Sequence, residues 1–183
     1  KKWRKKDFSR IITYFAIHTA IIMVLFVFAL FLSVDFELTG AWQFTVHGGA
    51  GVPVYLAISI CLLSGGIFLY FFFEDGDFLY AGKNVHLMFV ILEISLLTSF
   101  VVGKWRSVYA RPFALCALLV LMTSDRRKAI FMNCVTCLLL FMSDAFVSVD
   151  LTVDKDLYAS LVIGFITGIM AIYLLDGTGS RFK

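Results

Sequence analysis

Long apolar runs alternate with short polar breaks along the whole chain. Each run holds roughly 16 to 23 residues, and about 20 apolar residues in a helix are enough to cross the hydrocarbon of a bilayer. The apolar–polar alternation of β-barrel strands is not the pattern here. The sequence therefore predicts an all-α, polytopic helical membrane bundle with about six transmembrane helices. The predicted spans of this single transmembrane domain, 1–183, are about 11–33, 52–73, 84–102, 108–123, 129–149 and 157–175.

Composition agrees with this pattern. Hydrophobic residues make up 61% of the chain and charged residues 16%, whereas soluble domains have about 45–50% and about 25%. The predicted spans use most of the chain. No stretch remains that is long enough for a separate soluble core.

Basic residues are unevenly distributed and predict the orientation. Six of them precede the first span: Lys1, Lys2, Arg4, Lys5, Lys6 and Arg10. The following apolar run is too long for a cleaved signal peptide, so an uncleaved first helix is expected. Such a cluster fits anionic lipid headgroups better than nucleic acid, which is not an expected partner. With the N-terminus inside, 12 of the 16 Lys and Arg residues lie on the inner side, so both termini are predicted to be cytoplasmic. A bacterial plasma membrane is the expected location.

Side chains for catalysis or metal binding are scarce. The three histidines are scattered, and no nucleophile-elbow, zinc-protease or phosphate-loop motif occurs. Cys134 and Cys137 form a C-x-x-C, yet they lie within an apolar span without a companion histidine, so packing is their expected role. We expect no catalytic residue, no metal and no cofactor in this chain.

Ionisable residues within the spans are the candidate site. Glu93 lies near the middle of the third span, and His86 precedes it by seven residues, on roughly the same helical face. A charge at the bilayer centre costs about 2.5–3.5 kcal/mol. Glu93 is therefore expected to face the bundle, either as a ligand, proton or ion site or as a hydrogen-bonded packing residue. Asp144 is a second polar candidate near the outer end of its span, and His18 is expected to be a packing residue.

Small residues predict where helices approach closely. Gly164 and Gly168 form a G-x-x-x-G spacing in the sixth span, and Gly65 and Gly66 are adjacent in the second. Both pairs are predicted helix-packing positions.

The stretch ARPFALCALLVLMTSDRRKAIFMN, residues 110–133, resembles the membrane core of bacterial seven-transmembrane receptors with an intracellular HD hydrolase domain. In that family a proline opens a short span, an acidic residue and an arginine follow in a cytoplasmic turn, and Ala-Ile opens the next span. Pro112, Asp125, Arg127, Ala129 and Ile130 stand at those places. The resemblance covers about 130 residues and is mainly one of layout.

The resemblance implies a signalling receptor. Members carry an extracellular domain after the first helix, seven further helices and a cytoplasmic HD phosphodiesterase, which acts on cyclic di-AMP in the best-known members. Here the segment after the first span has only about 18 residues, and two more helices and the HD domain would have to follow Lys183. No catalytic or metal residue of the family falls on a matching position.

Three functions stay open from the sequence. The first is a sensory or anchoring module that couples an outside signal to a cytoplasmic enzyme domain, in a homo-oligomer or alone. The second is a membrane component of a small-solute, vitamin-type transporter, with Glu93 and His86 lining a pocket. The third is an accessory subunit of a larger membrane complex. The lipid bilayer is the partner common to all three.

Overall fold

The computed structural model describes residues 5–33, 51–80, 82–106, 108–147 and 155–179. All regular structure in these ranges is helical. The α-helices are α1 (Lys5–Ser33), α2 (Gly51–Glu74), α3 (Gly76–Tyr80), α4 (Lys83–Trp105), α5 (Leu115–Thr123), α6 (Arg126–Val147) and α7 (Lys155–Gly179), and a 3₁₀ turn covers Val108–Ala110.

Four of these helices are long and apolar enough to cross a membrane. Their apolar segments are Phe8–Ala29, Val54–Glu74, Lys83–Trp105 and Arg126–Ala145, and a shorter apolar segment, Ser160–Leu175, lies in α7. The prediction of a helical bundle with membrane-spanning helices is therefore confirmed at this level.

Helix α5 is much shorter than the span predicted over 108–123. Only Leu115–Thr123 is α-helical, which corresponds to about 14 Å of rise. The cause lies at Pro112, because a proline disfavours helical backbone in the residue before it. Tight turns follow instead, with the amide of Phe113 donating to the carbonyl of Arg111 and that of Leu115 donating to the carbonyl of Pro112.

Aromatic contacts fix the relative direction of α1 and α4. The ring of Phe15 meets that of Phe89 edge-on at 5.0 Å between centroids, and Phe26 meets Phe100 in the same way at 5.7 Å. Residue numbers increase together along both helices, so α1 and α4 run parallel. These pairs also bury large rings between the two helices, which is favourable.

Helix α6 is central to the bundle and packs against α1, α2, α4, α5 and α7. It runs antiparallel to α2 and to α7. Tyr70, near the end of α2, stacks on Phe131, near the start of α6. Phe141, near the end of α6, packs against Tyr158, near the start of α7. About half of the apolar segments of α4 and α6 is buried, against 28% for α1 and α2. Helices α4 and α6 therefore form the interior of the bundle.

The bundle has two polar ends, which we name after one residue each. The Lys128 end contains the turns between α2 and α4 and between α5 and α6. The Arg111 end contains the turn between α4 and α5, and Arg111 contacts Asp144 of α6 there. Between these ends the outer surface carries large exposed apolar side chains, such as Val24, Leu62 and Phe73. An apolar outer surface of this kind fits lipid rather than water.

Candidate functional site

Glu93, His18 and His86 form a continuous chain of polar contacts between α1 and α4. Nδ1 of His18 lies 2.7 Å from Oε1 of Glu93. Nε2 of the same ring lies 2.9 Å from Nδ1 of His86. Both nitrogens of His18 are therefore engaged by side chains of α4.

The spacing along α4 produces the gap that His18 fills. His86 and Glu93 are seven residues apart, which is about two helical turns and about 10 Å of rise. Their side chains thus lie one above the other on the face that packs against α1. Phe89 lies between them, and its ring stacks on that of His18 at 4.8 Å and 6°. The stacked ring fixes the plane of His18, so both ring nitrogens stay aimed at their partners.

The Glu93–His18–His86 series of polar contacts has one exposed member and two enclosed ones. His86 is exposed near the start of α4, whereas the side chains of His18 and Glu93 are 3% and 14% exposed. A carboxylate with so little exposure needs a hydrogen-bond donor, because an unpaired buried charge is costly. His18 meets this need in the tautomer that carries its proton on Nδ1.

His18 was expected only to fill space, and its role as the link was missed. It is indeed buried and packed on Phe89, but it also joins the two predicted site residues of α4. The partner of Glu93 is therefore an imidazole of α1. One feature of the sequence was consistent with this contact. His18 and His86 each lie in the first half of their helix, and α1 and α4 run parallel, so both residues lie towards the Lys128 end.

Asp144 lies at the opposite end of the bundle and is not part of this chain. Its two oxygens accept hydrogen bonds from Nη1 and Nη2 of Arg111, at 2.5 and 2.7 Å. The side chains of Arg111 and Asp144 are only 8% and 16% exposed. A bidentate pair with this geometry holds the start of the α5 segment against the far end of α6.

The Lys128 end is held by an ion-pair cluster. Nζ of Lys128 donates to Oδ2 of Asp75 at 2.8 Å and to Oδ2 of Asp125 at 3.1 Å, and it lies 4.2 Å from the ring centroid of Phe78. Oδ1 of Asp75 accepts the amide of Phe78 at 3.0 Å. The bond from Lys128 and then that from Phe78 lower the pKa of the Asp75 carboxyl below its usual 3.8, because both stabilise its charged form. This cluster joins the turn after α2 to the turn before α6.

A cleft of about 630 Å³ opens beside this cluster. Arg127 and Glu74 form an exposed ion pair on its wall, with Nη1 and Oε1 3.0 Å apart. Arg126 lies over the ring of Tyr173, with its guanidinium carbon 4.0 Å from the ring centroid. The cleft is thus polar and of mixed charge.

The four predicted packing glycines fall into two different environments. A Cβ added at Gly168 would overlap the carboxamide of Asn133, and one at Gly164 would stand 2.8 Å from Cδ1 of Phe113. At Gly65 and Gly66 an added Cβ would meet no described atom within 4 Å. Close approach within the described residues therefore occurs at the α7 pair and not at the α2 pair.

The described residues do not assemble a metal-binding group of three or more His, Cys, Asp or Glu side chains. Cys134 and Cys137 are free thiols. Comparison with known proteins adds no further assignment, since no family model, curated protein or solved structure matches the chain.

Proposed function

We propose that this chain is the transmembrane sensory module of a bacterial signalling receptor, in which the Glu93–His18–His86 chain registers the input. That chain is the observation that carries the proposal. Ionisable side chains inside a membrane are costly, and where they occur they commonly belong to ligand, ion or proton sites. Here they connect two parallel helices, so a change in their state changes the interaction between α1 and α4.

The proposed topology places the Lys128 end in the cytoplasm. The excess of Lys and Arg near this end supports that orientation, because positive residues favour the inner side. The helices α1, α2, α4, the α5 segment, α6 and α7 then give about six crossings, with both termini cytoplasmic. The alternating directions of the described helices support this count. The apolar outer surface supports insertion in a membrane, and the bacterial plasma membrane is the proposed one.

The proposed output is at the same cytoplasmic end. The Lys128 cluster couples α2 to α6 there, and the polar cleft beside it offers a surface for an enzyme domain or a second copy of the module. The layout of residues 110–133 supports a cyclic di-AMP phosphodiesterase of the HD class as that domain. Movement of α1 against α4 would reach it through α6, which contacts both.

The full-length protein provides the test. Its reading frame should continue beyond Lys183 into an HD domain, and its cyclic di-AMP hydrolysis in liposomes should respond to the input. Glu93→Gln should abolish the response while insertion is retained, whereas Cys61→Ser, a change at an exposed position of α2 outside the polar chain and the cleft, should leave it unchanged. A reading frame without an HD domain would refute the receptor assignment.

A small-solute transporter component is the second candidate. Histidine–carboxylate chains also serve as proton relays in membrane transporters, which gives this alternative an observation of its own. A thermal-shift screen with vitamins and metabolites separates the two. A micromolar hit that Glu93→Gln abolishes would favour transport. An accessory subunit of a larger membrane complex is the third option, and neither experiment would give a positive result for it.

A further inference from the structure

We infer that the Glu93–His18–His86 chain is a proton-uptake path, which loads one proton from the Lys128 end of the bundle onto the carboxylate of Glu93. The inference rests on the same side chains as the proposed function, but it names their ligand, the proton. It holds for a receptor and for a transporter alike. Its test measures protonation and not signalling, so the two proposals fail separately.

The observed distances allow a hydrogen-bonded arrangement in which Glu93 is charged and both imidazoles are neutral. Glu93 is a carboxylate, and neutral His18 donates the N–H at Nδ1 to its Oε1. The lone pair at Nε2 of His18 then accepts the N–H at Nδ1 of His86. Every polar atom named here has a partner, at separations of 2.7 and 2.9 Å.

The same atoms also fit the neutral state. Water at the exposed end protonates Nε2 of His86. His86 then passes its Nδ1 proton to Nε2 of His18, and His18 passes its own Nδ1 proton to Oε1 of Glu93. One proton has been taken up, Glu93 is a neutral acid, and both imidazoles are again neutral with the proton on Nε2. Each hydrogen bond persists with its direction reversed, so no heavy atom has to move.

The placement of the chain supports a path with one entrance. His86 is exposed, while His18 and Glu93 are almost enclosed. Phe89 covers one face of the His18 ring, and Phe15 packs edge-on against Phe89 at 5.0 Å. Both phenylalanine rings are buried, so that face of His18 is closed to water. Protons from the exposed end therefore reach Glu93 through His86 and His18.

Several neighbouring charged groups have partners other than His18, His86 and Glu93. Tyr14 of α1 lies 6.4 Å from His86 between ring centroids, and its hydroxyl group accepts hydrogen bonds from Arg10. On α2 the charged side chain is Glu74, which pairs with Arg127 of α6. Helix α6 also carries Lys128, which pairs with Asp75, Asp144, which pairs with Arg111, and Arg126, which lies over the ring of Tyr173. Helix α3 carries Asp77, and α4 itself supplies His86, Glu93 and the exposed Lys83 and Lys104.

Infrared difference spectroscopy tests the inference. The full chain in liposomes is titrated with buffer from about pH 8 to about pH 6, a range in which histidines titrate while exposed carboxyl groups stay charged. The wild type should gain a carboxylic-acid carbonyl band as the pH falls, and Glu93→Gln should lose that band. Glu74→Gln is the matched control and should keep it. A band that persists in Glu93→Gln would overturn the inference.

Kinetics test the route. After a rapid pH drop, His18→Gln and His86→Gln should slow the appearance of the Glu93 band by at least about tenfold, because a glutamine cannot relay a proton as an imidazole does. Tyr14→Phe should leave the rate unchanged. Unchanged rates in both histidine variants would refute the path. If a variant does not insert, ¹⁵N spectra of the wild-type imidazoles test the route instead. The proton of His18 should move from Nδ1 to Nε2 as the Glu93 band appears, and an unchanged tautomer would refute the path.

Discussion

The side chain of Asn133 occupies the space in which a Cβ of residue 168 would stand, so Gly168 is what allows α6 and α7 to approach each other. Asn133 is fully buried, and its Nδ2 donates to the carbonyl of Phe165 at 3.4 Å across the same interface. Small residues at such contacts let helix backbones come close in membranes.

Gly168→Ala should therefore destabilise the protein. Overpacking costs about 1–3 kcal/mol, since Asn133 has to leave its position to make room. Gly65→Ala is the matched control, because the same methyl group at Gly65 meets no described atom and alanine favours a helix. Thermal unfolding in detergent should show a lower Tm for the first variant and an equal or higher Tm for the second. Equal losses in both would contradict the assigned interface.

Removal of His18 should cost more than removal of its partner. His18→Leu leaves the carboxylate of Glu93 enclosed without a donor, and loss of one member of a buried pair costs about 3–5 kcal/mol. Addition of Glu93→Leu should restore most of that stability, because two apolar side chains need no partner. The four unfolding free energies of this double-mutant cycle measure the coupling. Additive effects would show that the two residues do not interact.

The two ion pairs at opposite ends of the bundle should differ in strength. Arg111 and Asp144 are mostly buried, so Asp144→Asn should destabilise by about 3 kcal/mol or more. Arg127 is 82% exposed in its pair with Glu74, and Glu74→Gln should change stability by less than about 1 kcal/mol. Unfolding in denaturant at low salt measures both. A comparable loss in the two variants would show that burial does not determine the difference.

Acid should weaken the Lys128 cluster. The pKa of Asp75 is lowered in the folded protein, so its contribution to stability is present above the unfolded pKa and is lost as pH falls through the lower folded pKa. Wild type should therefore lose stability as the pH falls below the usual 3.8 of an aspartate. Lys128→Met should lose less over that range, since the bond that lowers the pKa is gone. Unfolding midpoints across this range provide the comparison, and Arg127→Met is the control.

Cysteine labelling should establish the topology. In a variant without the exposed Cys61, a membrane-impermeant reagent applied outside intact cells should modify a cysteine placed at Gly49 or Thr152. It should not modify one placed at Gly76 or Ser180, which belong to the proposed cytoplasmic side. Labelling at Gly76 before lysis would reverse the orientation.

The sequence predicts the helices well because length and apolarity are local properties. It also places Glu93 and His86 on one face of α4, since their separation of seven residues is two turns of any helix. It could not show that His18 lies between them, because that contact joins residues 75 positions apart and depends on how α1 packs. The glycine pairs make the same point. Gly65 and Gly168 stand in similar local motifs. An added Cβ would meet no described atom at Gly65 but would overlap a buried carboxamide at Gly168.

Within the predicted span over 108–123, the α-helix begins only at Leu115 for a related reason. Its apolar residues give the extent of a membrane segment but not the point at which helical backbone begins. Pro112 moves that point to Leu115, and the ion pair with Asp144 holds Arg111 in the preceding turn. The boundary thus depends on a tertiary contact as well as on proline.

The shortness of α5 has a consequence for how the protein is made. Its nine helical residues are far fewer than the about 20 that a helix needs to enter lipid unaided. In the folded protein α5 contacts α4, α6 and α7. We therefore expect this segment to enter the bilayer together with the helices that pack against it and not as an independent helix.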